Sequence, residues 1–212
     1  LLDGKNNCRI HLFQKFKQKN MKKHFLFIIF IGIITTFSAC DSSTPKPYGY
    51  FRIELPQPEY KTFDSVYPPC VMQISSSSKV VNRKSKDKQN DWIDIAYPQF
   101  NGRIHCSYSA INNNFRQLSE DSRNLVYKPH HLRADAIVEY PFENPETKVY
   151  GILYEITGNA ASPYQFIVTD STKHFLRGAL YFEASPNADS IYPVAQFVKT
   201  DLQHLIETLT WK

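Results

Sequence analysis

The stretch from Met21 to Cys40 sets how much of this chain is free to fold in water. It opens with Lys22 and Lys23, runs from Phe25 to Phe37 without a charge, and closes on Ser38-Ala39-Cys40. The apolar run is too short to span a bilayer, which takes about 20 residues. It has the length and polarity of the core of an export signal. Small residues directly before a cysteine suit the peptidase that leaves that cysteine as an acylated first residue. Phe37 departs from the leucine usual three positions before such a cysteine. The plainer alternative is an ordinary secretory signal that happens to be cut beside a cysteine. With only 4 Cys in the chain, the placement of Cys40 favours the lipid reading. The expected organisation is an upstream gene-model extension over 1–20, a signal peptide over 21–39, a tether over 40–47 and one domain over 48–212.

Discounting the leader changes the electrostatics. The formal net charge is +5, but residues 1–39 hold Lys5, Arg9, Lys15, Lys17, Lys19, Lys22 and Lys23 against Asp3 alone. Those residues carry +6, so the remainder stands near −1. The basic character belongs to the leader, and nucleic acid is not an expected partner. Cys8 falls in the discounted extension, and Cys40 is the expected lipid acceptor. That leaves Cys70 and Cys106, which in an oxidising compartment either form one disulfide or stay as buried, unreactive thiols.

Along the domain, Asp41 to Pro47 has the polar, proline-bearing composition of a tether. Short strands are expected over Tyr48 to Leu55, Tyr60 to Phe63 and Val71 to Ile74. Arg83, Lys84, Lys86 and Lys88 follow Ser75-Ser-Ser-Ser78 and read as a solvated connection, with a membrane-contact patch as the sharper alternative. Asp91 to Tyr97 and Arg103 to Ser109 form a hairpin pattern around Asn101-Gly102, a pair that tolerates positive φ. Asn112-Asn-Asn114 is placed to cap a helix bearing Phe115, Leu118, Ser122 and Leu125 on one side, ending before Pro129. Strands follow over Ala134 to Tyr140, Val149 to Thr157, Tyr164 to Thr169 and His174 to Glu183. The last element is a helix opened by Pro193, whose stripe is Val194, Phe197, Val198, Leu202, Leu205, Ile206 and Leu209. The expected class is α+β: an antiparallel sheet with at least two helices packed on it.

The chemistry of the chain is sparse. No phosphate-binding loop, nucleophile elbow, zinc-protease motif or calcium loop is present, so no catalytic, cofactor-binding or metal residue is assigned. His130-His131 reads as a surface pair, because adjacent side chains diverge and no further ligand completes a set. Asp170-Ser171-Thr172 with His174 holds the residue types of a hydrolase triad, but members so close in sequence suit turn chemistry better. Asp201 falls inside the apolar stripe of the last helix, where a carboxylate needs a partner. Arg177 or His174 on the preceding strand is the expected one, in a structural ion pair. The 13 Tyr all follow Cys40, and with no catalytic set in view they favour a contact surface.

Three blocks carry a family resemblance: Lys46-Pro-Tyr-Gly-Tyr-Phe-Arg-Ile-Glu-Leu-Pro56, Tyr150 to Phe166 (YGILYEITGNAASPYQF), and Thr169 to Phe182 (TDSTKHFLRGALYF) followed by Pro186-Asn-Ala-Asp-Ser-Ile191. Through them the chain resembles the GldD family of gliding-motility lipoproteins. The resemblance implies an envelope lipoprotein needed for gliding and for the associated type IX protein secretion machinery, with no catalytic residues to carry over. Its partners would be the membrane, through Cys40, and other envelope proteins, facing the periplasm. The order of elements also looks like a PsbP-like sandwich, which bears on fold and not on function. The competing class is an envelope enzyme or small-ligand binder on the same sheet. A deep apolar pocket would favour that class, and an exposed aromatic patch would favour partner binding.

Overall fold

The computed structural model describes residues 53–83, 92–183 and 187–212. The leader, Cys40, the tether, Tyr48 to Arg52 and the basic residues Lys84, Lys86 and Lys88 lie outside the described residues.

The described chain forms β1 (Tyr60–Ser65), β2 (Cys70–Ser75), β3 (Lys79–Arg83), β4 (Trp92–Tyr97), β5 (Gly102–Ala110), α1 (Phe115–His130), β6 (Ala134–Asn144), β7 (Val149–Gly158), β8 (Tyr164–Thr169), β9 (His174–Phe182), α2 (Ala188–Thr208) and β10 (Thr210–Trp211). Seven strands build one antiparallel sheet in the order β3-β4-β5-β9-β8-β7-β6, and β1-β2-β10 form a second, small sheet. Both helices pack on strands, so the α+β expectation holds.

Strand alternation decides what lies on each side of the large sheet. Ile93, Ile95, Ile104, Cys106, Phe166, Leu176 and Leu180 face α2 and the small sheet in one core, joined by Met72, Ile74, Val198 and Leu202. The intervening residues point the other way. There Tyr154, Ile156, Ile167 and Phe175 meet Val126 of α1 in a smaller core. That core draws on strands β6 to β9, so α1 covers one half of this face. Gly178 makes room on the larger-core side: a Cβ there would stand 2.2 Å from the Phe166 ring.

Several boundaries differ from the sequence expectation. Ile53 to Leu55, the described part of the first expected strand, is irregular and exposed. Lys79 to Arg83 is a strand, because Val80 and Val81 pair with β4 while the charged ends stay solvated at the sheet edge. The β4–β5 hairpin closes through a single 3-10 turn over Pro98–Phe100. Asn101 takes the positive φ of 48°, and Gly102 already pairs with Tyr97. Helix α1 runs through Pro129, which near a helix end forfeits little bonding. Its buried face holds Val126, and Leu125 is 52% exposed. Helix α2 starts five residues before Pro193, at Ala188, capped by Asn187. The stripe read from the sequence is otherwise the one that packs: Val194, Val198, Leu202, Leu205 and Ile206 are buried, as is Leu209 just past the helix.

Candidate interaction surface

Asp201 is 3% exposed, so the carboxylate in the stripe is buried as its position demands. Its partner is not Arg177. Tyr97 Oη donates to Asp201 Oδ2 at 3.0 Å, and Oδ1 has no partner within hydrogen-bond geometry. Burial pushes the Asp201 carboxyl up from the ordinary aspartate range, against the partial pull of the Tyr97, Ser75 and Tyr60 hydroxyls. Tyr60 stacks on His204 with ring centroids 3.6 Å apart, and His204 Nε2 donates to Gln73 Oε1 at 2.7 Å. Neutral and aromatic groups thus fill the seam between α2 and the small sheet.

Arg177 misses Asp201 because alternation turns it to the opposite face of β9, between Leu176 and Gly178. There its Nη2 donates to Gln165 Oε1 at 2.5 Å, and Gln165 Nε2 donates to His130 Nε2 at 3.0 Å. His130 is therefore buried and acts as an acceptor, which corrects the surface-pair expectation. Only His131 is exposed. Burial, then the Arg177 charge, lower the pKa of His130 from its ordinary value. His174, the other expected partner of Asp201, bonds the Tyr108 hydroxyl through Nδ1 at 2.8 Å and stacks on Trp211.

Asp170 shows turn chemistry. Its Oδ1 accepts from the backbone N–H groups of Thr172, Lys173 and His174 at 3.0, 2.7 and 2.7 Å. Burial alone would raise this carboxyl, but the backbone bonds outweigh it and hold the pKa at about 2. Cys70 and Cys106 are free thiols and both are buried, not bridged. Burial pushes the Cys70 thiol up to about 12 and raises Cys106 as well, which removes the thiolate a nucleophile needs. Among the described residues, no group of three or more His, Cys, Asp or Glu is placed to hold a metal ion.

A buried ionic constellation lies where the sequence reading placed nothing. Asp94 on β4 is 1% exposed. Its Oδ2 meets Arg83 Nε at 2.6 Å and Arg103 Nη1 at 3.1 Å, and its Oδ1 meets His105 Nδ1 at 2.7 Å. Register explains the convergence, since Asp94 pairs directly with His105, two positions and so one same-face step from Ala96↔Arg103, and Val81 of β3 lies opposite on its other side, two residues before Arg83. One signal could have found it: a lone Asp inside Trp-Ile-Asp-Ile-Ala-Tyr, across a hairpin from Arg-Ile-His.

Beside this cluster opens a groove of about 390 Å³ lined by Phe63, Val66, Tyr67, Arg83 and Trp92 among others. Val66 at the β1–β2 turn is 83% exposed and Trp92 is 46% exposed. Exposed apolar side chains next to fixed charges have the make-up of a protein contact surface. A second groove of about 400 Å³ lies under the start of α1, where Phe115, Tyr150, Ile152 and Phe175 are rimmed by Ser119, Arg123 and Ser171.

A family model described as "Gliding motility lipoprotein GldD" matches residues 40–211. No curated protein matches the chain. Among solved structures, the solution structure of cyanobacterial PsbP (CyanoP) from Synechocystis sp. PCC 6803 is similar at 10% sequence identity and a TM-score of 0.47. That likeness covers 76% of this chain and 98% of the cyanobacterial one.

Proposed function

The chain belongs to the gliding motility lipoprotein GldD family, and from that premise we propose that it acts as a lipid-anchored assembly or stabilising factor for the gliding apparatus and its associated type IX protein secretion machinery. The matched span carries the reading. It begins at Cys40, the residue the leader would leave acylated, and runs to residue 211. In this reading Cys40 holds the domain to an envelope membrane, facing the periplasm, and the domain works by contact. The groove around Val66, Tyr67 and Trp92, with the Asp94 cluster beside it, is the contact surface. Such a factor uses exposed anchors set among fixed polar groups and has no need of a nucleophile.

The test is genetic and biochemical together. Cys40→Ser should release the protein from membranes and stop gliding and secretion, with mass spectrometry of the mature N-terminus showing acyl chains on Cys40 in the unaltered protein. Trp92→Ala with Val66→Ser should keep the protein in the membrane fraction but lose co-purifying envelope proteins. Normal gliding in both strains would defeat the proposal. The groove under α1 favours a second reading, a small apolar ligand held against Phe175 and Ile152. Extraction of the purified protein into organic solvent, followed by mass spectrometry, would reveal such a ligand.

A further inference from the structure

We infer that the half of the large sheet that no described helix covers is a docking face for an acidic, carboxylate-bearing segment of a partner protein, an inference that rests on the contact reading above and names the partner's chemistry. Helix α1 and its core occupy strands β6 to β9. The same face over β3, β4 and β5 presents Lys79, Val81, Arg83, Trp92, Arg103 and His105, none of them fully buried. Among the described residues its carboxylates are Asp94, which is buried, and Glu183, 3.6 Å from Arg103 at the rim. An approaching molecule therefore meets cations first.

Those cations are held in place. A buried carboxylate is costly to desolvate, and here it fixes Arg83, Arg103 and His105 at once. Arg83 spends only Nε on Asp94, so its two terminal nitrogens have no partner among the described residues; the same holds for His105 Nε2. A guanidinium fixed in this way offers a planar pair of donors that matches a carboxylate, and little further side-chain entropy is lost on binding. Val81 and Trp92, both exposed, flank the charges and supply the apolar contact that a bare ion would not use.

The test uses the purified full-length protein in neutral detergent and a fluorescent nonapeptide of alternating Glu and Val, with its Lys-Val counterpart as control. The Glu peptide should bind and the Lys peptide should not, and raising salt from about 50 mM to about 500 mM should weaken binding severalfold. Arg83→Ala and Trp92→Ala, both at exposed positions, should each weaken it about tenfold; Arg83→Ala should melt lower because Asp94 loses one of its three partners, yet stay folded at the assay temperature, and Trp92→Ala should melt as the unaltered protein does. Asp94→Asn adds positive charge but frees the cations, so it should weaken binding; tighter binding by this variant would overturn the fixed-donor argument. Equal binding by Arg83→Ala and the unaltered protein would overturn the site. Binding of phosphatidylglycerol vesicles but not of the Glu peptide would mean a lipid surface and sink the inference. Loss of co-purifying proteins from Arg83→Ala cells, with no peptide binding in vitro, would reject the acidic class and leave the contact reading standing. Loss of neither would reject both.

Discussion

Two aspartates are buried in this domain to nearly the same degree, and the fold treats them in opposite ways. Asp94, 1% exposed, sits on a strand and is met by two guanidinium groups and an imidazole. Asp201, 3% exposed, sits on a helix and is met by a phenol, with further hydroxyls nearby. The first carboxylate is ringed by side chains that carry or can carry positive charge, and the second is pushed by burial toward its neutral form. Burial alone therefore does not say what a carboxylate is for; its partners do. The ionic solution lies on the β3–β5 half of the face that α1 packs on, and the neutral one lies in the seam that holds α2 to the small sheet.

Removing each carboxyl should expose the difference. Asp94→Ala leaves two guanidinium groups and an imidazole facing one another, and the expected loss is about 2–3 kcal/mol in urea denaturation. That is under the 3–5 typical of a fully buried pair because the cations are partly solvated. The loss should shrink when Arg103 is replaced as well, since the two share one interaction. Additive losses would mean that Asp94 is held by packing and not by charge.

Asp201→Ala should cost about 1–3 kcal/mol, the cost of an orphaned Tyr97 hydroxyl plus a small cavity. An ion pair with Arg177, as expected from the sequence, would have made that loss larger. Asp201→Asn should cost little or stabilise, because the amide accepts from Tyr97 without a charge to desolvate. The pH profile carries the sign. The folded pKa is raised, so the folded state binds the proton more tightly than the unfolded chain does, and stability falls as pH climbs from about 4 through that raised value. Asp201→Asn should remove this part of the slope. A slope of the opposite sign at Asp201 would mean that the fold holds this carboxylate charged.

How much of this was legible follows from how local each signal is. The α2 stripe, the β4–β5 hairpin and the Asp170 turn rest on neighbours in sequence, and they were read correctly in kind. The Arg177–Asp201 pairing needed the facing of β9. That strand is buried on both sides, with Phe175 and Ala179 on one and Leu176 and Leu180 on the other. Its residues carry no polarity cue to say where Arg177 points. The Asp94 cluster needs register across three strands, and Arg83, which β3 brings to it, falls in the basic stretch expected as a solvated connection. On α1, Leu118 and Ser122 lie on the expected face, but Val126 takes the place expected of Leu125, and at about 100° per residue that one-residue difference moves a side chain from core to solvent.

The smallest effect belongs to a third buried group and tests whether the neutral solution extends across the sheet. His130 accepts from Gln165 through Nε2, so it is neutral in the fold, and burial with the Arg177 charge lowers its pKa. The unfolded chain then binds the proton more readily, and stability should rise with pH through the window below about 6.5. The slope is opposite in sign to that of Asp201. The two partly cancel between about pH 4 and 6.5, and the unaltered protein should show a flatter profile there than either single variant. His130→Gln keeps a side-chain acceptor and should steepen the decline that Asp201 imposes, by less than about 1 kcal/mol across the window. If His130→Gln leaves the profile unchanged, the imidazole is solvated in solution and only Asp201 is held neutral by the fold.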